Sequence, residues 1–181
     1  MSKFTLVTPE TADNIAAPVL EQLKGKFGRL PNFFGALGID GASLTSFLAL
    51  QEKLNAQTKF TAREQELLAL AVANFNGCHY CVSAHTFTAK RMAGLTAEEC
   101  VTAQKGESND PREKMLMTLA VAIVKDHGQL ADSLVEEAKG LGFTEADIVQ
   151  ISLLATLNSF TNWLNNIVDP EIDFPEVPLI K

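Results

Sequence analysis

Two of the three cysteines and two of the three histidines of this chain fall in one stretch, ELLALAVANFNGCHYCVSAH, residues 66–85. Cys78 and Cys81 form a C-x-x-C pair, and His85 follows Cys81 by four residues. Residues three and four apart share a helix face, so the spacing predicts one stripe of Cys78, Cys81 and His85 just past Gly77. Vicinal thiols at this spacing can close a small disulfide or clamp a metal, and a nearby imidazole can take or return a thiol proton.

Three readings of the thiols compete. Inert burial as small apolar side chains is the usual fate of single cysteines. A zinc site could draw on Cys78, Cys81 and His85, with Glu66 or His79 as a fourth ligand. Structural zinc sites usually bring a second ligand pair from a distant segment, and this sequence has none. The redox reading fits best. Asn76-Gly77 marks a turn, so both thiols fall near the first turn of a helix. There the unpaired N–H groups and the helix dipole favour the thiolate. Cys100 stands alone among polar neighbours and is read as incidental.

One helical turn after a cysteine, His85 is the natural general base, able to draw the proton from Cys81 and return it to a leaving alkoxide or thiolate. His79 is rotated about 100° from the Cys78 direction and is expected to point elsewhere. Glu66 shares a stripe with Leu70 and Ala73. Its plain role is an ion pair with Arg63, three residues earlier, or a first-turn acid. If the chain reverses at Gly77 into an antiparallel helix, however, Glu66 lies about 16 Å down one helix and His85 about 12 Å down the other. The two can then meet in a relay of Glu66, His85 and Cys81, the acid orienting the imidazole.

The elements that must position these groups are helical. Thr61-x-x-Glu64, Thr96-x-x-Glu99 and Thr144-x-x-Asp147 have the form of capping boxes, and Asp110-Pro111-x-Glu113 sets a cap, an N1 proline and an acid in order. Helix ends are read at Gly94, Gly106, Gly128 and Gly140. Helices are expected at about 9–24, 42–56, 61–76, 78–93, 96–104, 111–127, 130–140 and 144–168, with GRLPNFFGALG irregular between the first two. Period-2 runs are nearly absent, and no linker divides the chain. The expected architecture is one all-α domain over 1–181, its core at about 30–168 and an extended, proline-bearing tail at 169–181 on the surface or reaching a neighbour.

Composition sets further bounds. A formal net charge of −7, without a lysine- or arginine-rich cluster, argues against nucleic acid as a partner. No apolar run approaches the ~20 residues that span a bilayer, and MSKFTLVTPE lacks the apolar centre of a secretory signal. No membrane association and a cytoplasmic home are the expectations. In that compartment a C-x-x-C is catalytic or metal-binding rather than a staple.

The chain also carries a diverged internal repeat. FTAREQELLALAVANFNGCHYC aligns, at an offset of 83, with FTEADIVQISLLATLNSFTNWL. The FT start, the apolar helix and the pair Tyr80/Trp163 recur, and the cysteines do not. Helices 61–76 and 144–168 are apolar around most of their circumference, which predicts burial in a subunit interface as well as in the core, hence a homo-oligomer.

The spacing of Glu66, eleven residues and then C-x-x-C-x-x-x-H resembles the centre of the AhpD-like alkylhydroperoxidases, in the carboxymuconolactone decarboxylase superfamily. LPNFF, TAREQELLALAV and TNWLNN are similar to the peroxidase-related subgroup, and the likeness covers roughly 30–175. The resemblance implies an all-helical subunit in trimers or hexamers, and a thiol peroxidase or disulfide reductase with no bound cofactor or metal. By position it implies that Cys81 attacks the peroxide, Cys78 resolves, and Glu66 and His85 belong to the proton relay. Helix position, by contrast, favours Cys78 as the more acidic thiol. Where the best-known members have a histidine this chain has Tyr80, whose phenol, with a pKa of ~10, donates a hydrogen bond but is a poor base near neutral pH. The implied partners are hydrogen peroxide or an organic hydroperoxide, and an external dithiol such as a lipoyl domain or a thioredoxin-like protein. The alternatives are a decarboxylase or lactone-processing enzyme of the same superfamily, which needs no redox C-x-x-C, and a non-enzymatic thiol switch.

Overall fold

A computed structural model of the chain describes residues 2–180. All regular elements among the described residues are α-helices, as expected: α1 Ala16–Phe27, α2 Asn32–Leu37, α3 Gly41–Gln57, α4 Ala62–Phe75, α5 His79–Met92, α6 Ala97–Gln104, α7 Pro111–Lys125, α8 Asp132–Gly140 and α9 Glu145–Val168. The described residues form two compact units, 2–58 with 164–173, and 59–163 with 174–180. Lys181, the last residue of the expected tail, lies outside the described residues.

In the first unit, α1 starts seven residues later than the sequence suggested. Asp13 is the reason: its Oδ1 accepts from the N–H groups of Ile15 (2.8 Å) and Ala16 (2.7 Å) and so fixes the helix start. Its Oδ2 accepts from Gly41 N–H at 3.1 Å, and a Cβ on Gly41 would stand 2.5 Å from Oδ1. The stretch expected to be irregular contains the short helix α2, whose Phe33 packs edge-on to Phe47 of α3 at 5.8 Å. Residues 169–173 follow α9 without regular structure, Asp169 turning at φ 54°, and Asp173 holds Arg29 and the Asn32 N–H.

The second unit is organised around α4. Seven consecutive residues, Leu67–Ala73, are buried, because α4 is covered by α5, α6 and α7. A fully buried leucine contributes roughly 1.5–3 kcal/mol, so this helix carries much of the unit's hydrophobic stabilisation. Both faces of the Thr61 capping box close: Thr61 N–H donates to Glu64 Oε2 (2.8 Å) and Glu64 N–H to Thr61 Oγ1 (3.2 Å). Arg63 then ties the start of α4 to the first turns of α6 and α7, through Glu99 (2.7 Å) and Glu113 (2.6 Å). The hydrogen bond from Arg63 holds the Glu99 carboxyl down at about 2. That contribution is present above the ordinary glutamate value and fades as pH falls toward about 2.

Two local readings change. Cys100 is fully buried, in a cluster with Leu67, Leu70, Ala89 and Met117. On α6 it faces inward with Ala103 and Gln104, three and four residues on, whatever its sequence neighbours. Gly140 is the last residue of α8, and the stop comes two residues later at Gly142 (φ 85°).

Candidate active site

α4 ends at Phe75 with Asn76 as its C-cap, and Gly77, at φ 67°, takes the left-handed conformation that turns the chain. Cys78 N–H donates back to the Ala73 carbonyl at 2.9 Å, and α5 begins at the next residue. The reversal brings α5 back along α4, as the sequence argument required.

Cys78 is the N-cap of α5, its sulfur accepting from Cys81 N–H at 3.2 Å. The two cysteines are joined as a disulfide, with Cα atoms 5.3 Å apart, and both are buried. The sulfurs thus sit where the first-turn N–H groups and the dipole favour negative charge. Cys100 has no such setting: burial pushes its thiol pKa up.

His85 lies one turn past Cys81, and its Nδ1 is 2.9 Å from Glu66 Oε2. The Glu66 side chain is 16% exposed and that of His85 28%, so the pair is sheltered but reachable. Burial pulls the His85 pKa down, but the charge of Glu66 and its hydrogen bond outweigh this and leave it above the ordinary histidine value. The plain alternative for Glu66, an ion pair with Arg63, does not form, since Arg63 is taken by Glu99 and Glu113.

The other two candidates have contacts on the tail. His79 Nε2 is 3.5 Å from Glu176, on the tail, consistent with a ring pointing away from the cysteine stripe. Tyr80, the remaining expected site residue, is buried, and its ring packs edge-on against Phe174 at 5.7 Å. Among the described residues no group of three or more His, Cys, Asp or Glu is placed to hold a metal ion.

Sequence reasoning missed the groups that hold the tail on α4 and α5. Phe174 packs on Tyr80 and, at 5.6 Å, on Phe87. Val177 N–H donates to the buried Ser83 Oγ at 3.0 Å. Asn74 grips Ile180 twice, donating to its carbonyl (3.1 Å) and accepting from its N–H (2.9 Å). These partners are about a hundred residues apart in sequence, and the only sequence signal was the chemistry itself, an aromatic and small polar groups facing an extended segment.

The arrangement is a vicinal dithiol at a helix N-terminus, a carboxylate-oriented imidazole one turn along, and an extended segment laid over the same helix. Residues 42–105, which include all of these but the extended segment, match the model of the carboxymuconolactone decarboxylase family. The fold is AhpD-like. It is similar to the crystal structure of an alkylhydroperoxidase AhpD core, an uncharacterized peroxidase-related protein from Ralstonia eutropha JMP134, at a TM-score of 0.83 and 20% identity, covering 95% of this chain and 92% of that one. A peroxidase-related protein from Silicibacter sp. TM1040 is similar at a TM-score of 0.77 and 22% identity, covering 90% of each chain. A cysteine-to-alanine variant of the debrominase Bmp8, in complex with 2,3,4-tribromopyrrole, is similar at 0.76 and 22%, covering 96% and 94%. No curated protein matches the sequence. Among the described residues, no helix is long and apolar enough to cross a membrane.

Proposed function

We propose that the protein is a thiol peroxidase that reduces hydrogen peroxide or organic hydroperoxides with Cys81 and Cys78. The carrying observation is the Cys78–Cys81 pair at the start of α5, with His85 held by Glu66 one turn along. The Cys81 thiolate, its proton drawn by His85, attacks one peroxide oxygen. The O–O bond breaks, the leaving alkoxide or hydroxide takes the proton back from His85, and Cys81 becomes a sulfenic acid. Cys78 attacks that sulfur, water leaves, and the disulfide forms. An external dithiol, from a lipoyl domain or a thioredoxin-like protein of a reducing cytoplasm, then restores both thiols by exchange. The N-cap position of Cys78 suits it as the stabilised leaving thiolate of that exchange. Tyr80 contributes as a hydrogen-bond donor rather than as a base, because a phenol is a poor base near neutral pH.

The test is substitution of each cysteine under peroxide. Cys81→Ser abolishes turnover, and Cys78→Ser stops at a sulfenic acid that dimedone traps. Full turnover by Cys81→Ser would sink the assignment.

A second reading follows from the likeness to the debrominase. The same dithiol could take a halogen from a halogenated pyrrole: a thiolate attacks the halogen, the carbon is protonated, the second thiol forms the disulfide, and halide leaves. Halide release from 2,3,4-tribromopyrrole, with peroxide unconsumed, would put this reading first. A decarboxylase or lactone-processing activity would survive loss of Cys78, which separates it from both.

A further inference from the structure

The second unit carries a cleft that the redox chemistry leaves unused. Its volume is about 610 Å³, and it opens between α4, α6, α7 and the tail, with Ala71, Gln104, Val121 and Ile180 in its walls. That volume falls within the ~300–1,000 Å³ of small-molecule sites. Ala71 follows Glu66 by five residues, so at ~100° per residue it sits about 140° round α4 from the acid that holds His85. The cleft and the Glu66–His85 pair therefore use different sides of one helix.

Gln104 is the unusual group in this wall. It is 3% exposed, and neither its Oε1 nor its Nε2 has a hydrogen-bond partner in the protein. Burying an amide with donor and acceptor both unmade is costly, whereas a leucine would fill similar space without that cost. The other neutral polar side chains of the wall are engaged. Asn74 holds both backbone groups of Ile180, and Thr118 donates to the Lys114 carbonyl at 2.9 Å. Apolar surface makes up much of the rest: Phe75, 45% exposed, lines the cleft with Met117, Val121 and Ala122.

The charged groups of the wall are Lys105, Lys114 and Lys125, with Glu107 and Asp126. Lys114 is engaged by Glu107 at 2.7 Å. Among the described residues Lys105 and Lys125 have no ion-pair partner, which leaves two cations against Asp126 in a chain of net charge −7. We infer that this cleft binds a small molecule of nucleotide type, with a donor and an acceptor side by side on one ring edge for Gln104 and a negative group for Lys105 and Lys125. A glutamine amide makes such a paired contact with adenine, accepting one hydrogen bond and donating the other. A planar ring also packs well on an aromatic wall such as Phe75. A fatty acid or an inorganic anion would meet the lysines and leave the Gln104 acceptor unmade. This inference is independent of the redox chemistry.

The experiment is calorimetric titration of the full chain with adenosine monophosphate, beside adenosine and inorganic phosphate. The monophosphate should bind, and each of the other two should bind more weakly by about tenfold or more, since each lacks half of the contacts. Gln104→Leu should weaken monophosphate binding by about tenfold, and without ligand it should unfold no more easily than wild type, because it removes two unmade groups. Lys105→Glu combined with Lys125→Glu, both at exposed positions, should lower monophosphate affinity to that of adenosine. No binding of the monophosphate at millimolar concentration would overturn the inference. So would phosphate binding as tightly as the monophosphate, or wild-type affinity in either variant. A marked loss of stability in ligand-free Gln104→Leu would overturn it too, since the amide would then be serving the fold.

Discussion

α4 and α9 begin alike and end differently. Phe60 and Phe143 are both buried just before the helices, and Thr61 and Thr144 cap them in the same way, each N–H donating 2.8 Å to the acid three residues on. From there the two copies diverge at one dipeptide. Asn76-Gly77 turns the first into a helical hairpin, and that turn creates the helix N-terminus on which Cys78 and Cys81 sit. Ser159-Phe160 lets the second run on, with no new N-terminus and no thiols. The copies touch at this dipeptide, where Asn76 donates to Ser159, its own counterpart. A redox pair thus depends on a turn as much as on two cysteines, because the turn supplies the N–H groups that favour the thiolate.

The comparison can be broken at several points. The largest effect comes from the chemistry itself: Cys81→Ser or Cys78→Ser should abolish catalytic turnover of peroxide, while Thr161→Ser, at the counterpart of Cys78 on α9, should leave turnover unchanged in the same assay. Next is packing. Leu70→Ala removes a side chain buried in the α4 cluster and should cost about 2–5 kcal/mol in denaturant unfolding. Leu153→Ala, at the equivalent exposed position, should cost about 0.5 kcal/mol on dilute protein. Equal losses would mean that the two copies are packed alike.

Glu66→Gln keeps the shape of the acid and removes its charge, as the valine at its counterpart does naturally. Oxidation of the thiols by peroxide should slow by about a hundredfold. Its pH profile should move as well. His85 must be neutral to draw a proton, so the wild-type rate climbs with pH through a His85 pKa raised above 6.5. Without the Glu66 charge that climb should shift to lower pH. The ion pair's contribution to stability has the opposite sense: it is full below the unfolded histidine value and is lost as pH rises through the raised one. A profile unchanged in Glu66→Gln would remove His85 from the relay.

The smallest effect concerns the tail, which packs on α5 through Phe174 and Val177. Asn74→Ala removes both hydrogen bonds to Ile180. Reduction of the buried disulfide by a thioredoxin-like dithiol should then speed up by about fivefold, the equivalent of one hydrogen bond of ~1 kcal/mol. A rate unchanged in Asn74→Ala would mean that the tail does not limit access.

Much of this was legible in the chain. Thr61, Thr96 and Asp110 announced helix starts because capping is local, decided within four residues. The Glu66–His85 contact followed from helical rise and one glycine turn, again local geometry. What could not be read depends on distant partners. Asp13 moved the start of α1 while it also held Gly41, and Ile180 returned to Asn74 from 106 residues away. Burial of the apolar helices was legible only in part. Both were expected to be buried in the core and in a subunit interface; within the single chain α4 is enclosed in its own unit, while Val149, Leu153 and Trp163 of α9 are exposed. Periodicity gives a helix's apolar width and does not say which neighbours cover it.

The most direct test of a redox pair confined to the first copy is a thiol count after a single turnover. The fully reduced chain presents three thiols under denaturing conditions. One equivalent of cumene hydroperoxide should lower the count to one, with Cys100 the thiol that survives, shielded in the α4 cluster. Three thiols remaining, or Cys100 lost in place of the Cys78–Cys81 pair, would contradict the account.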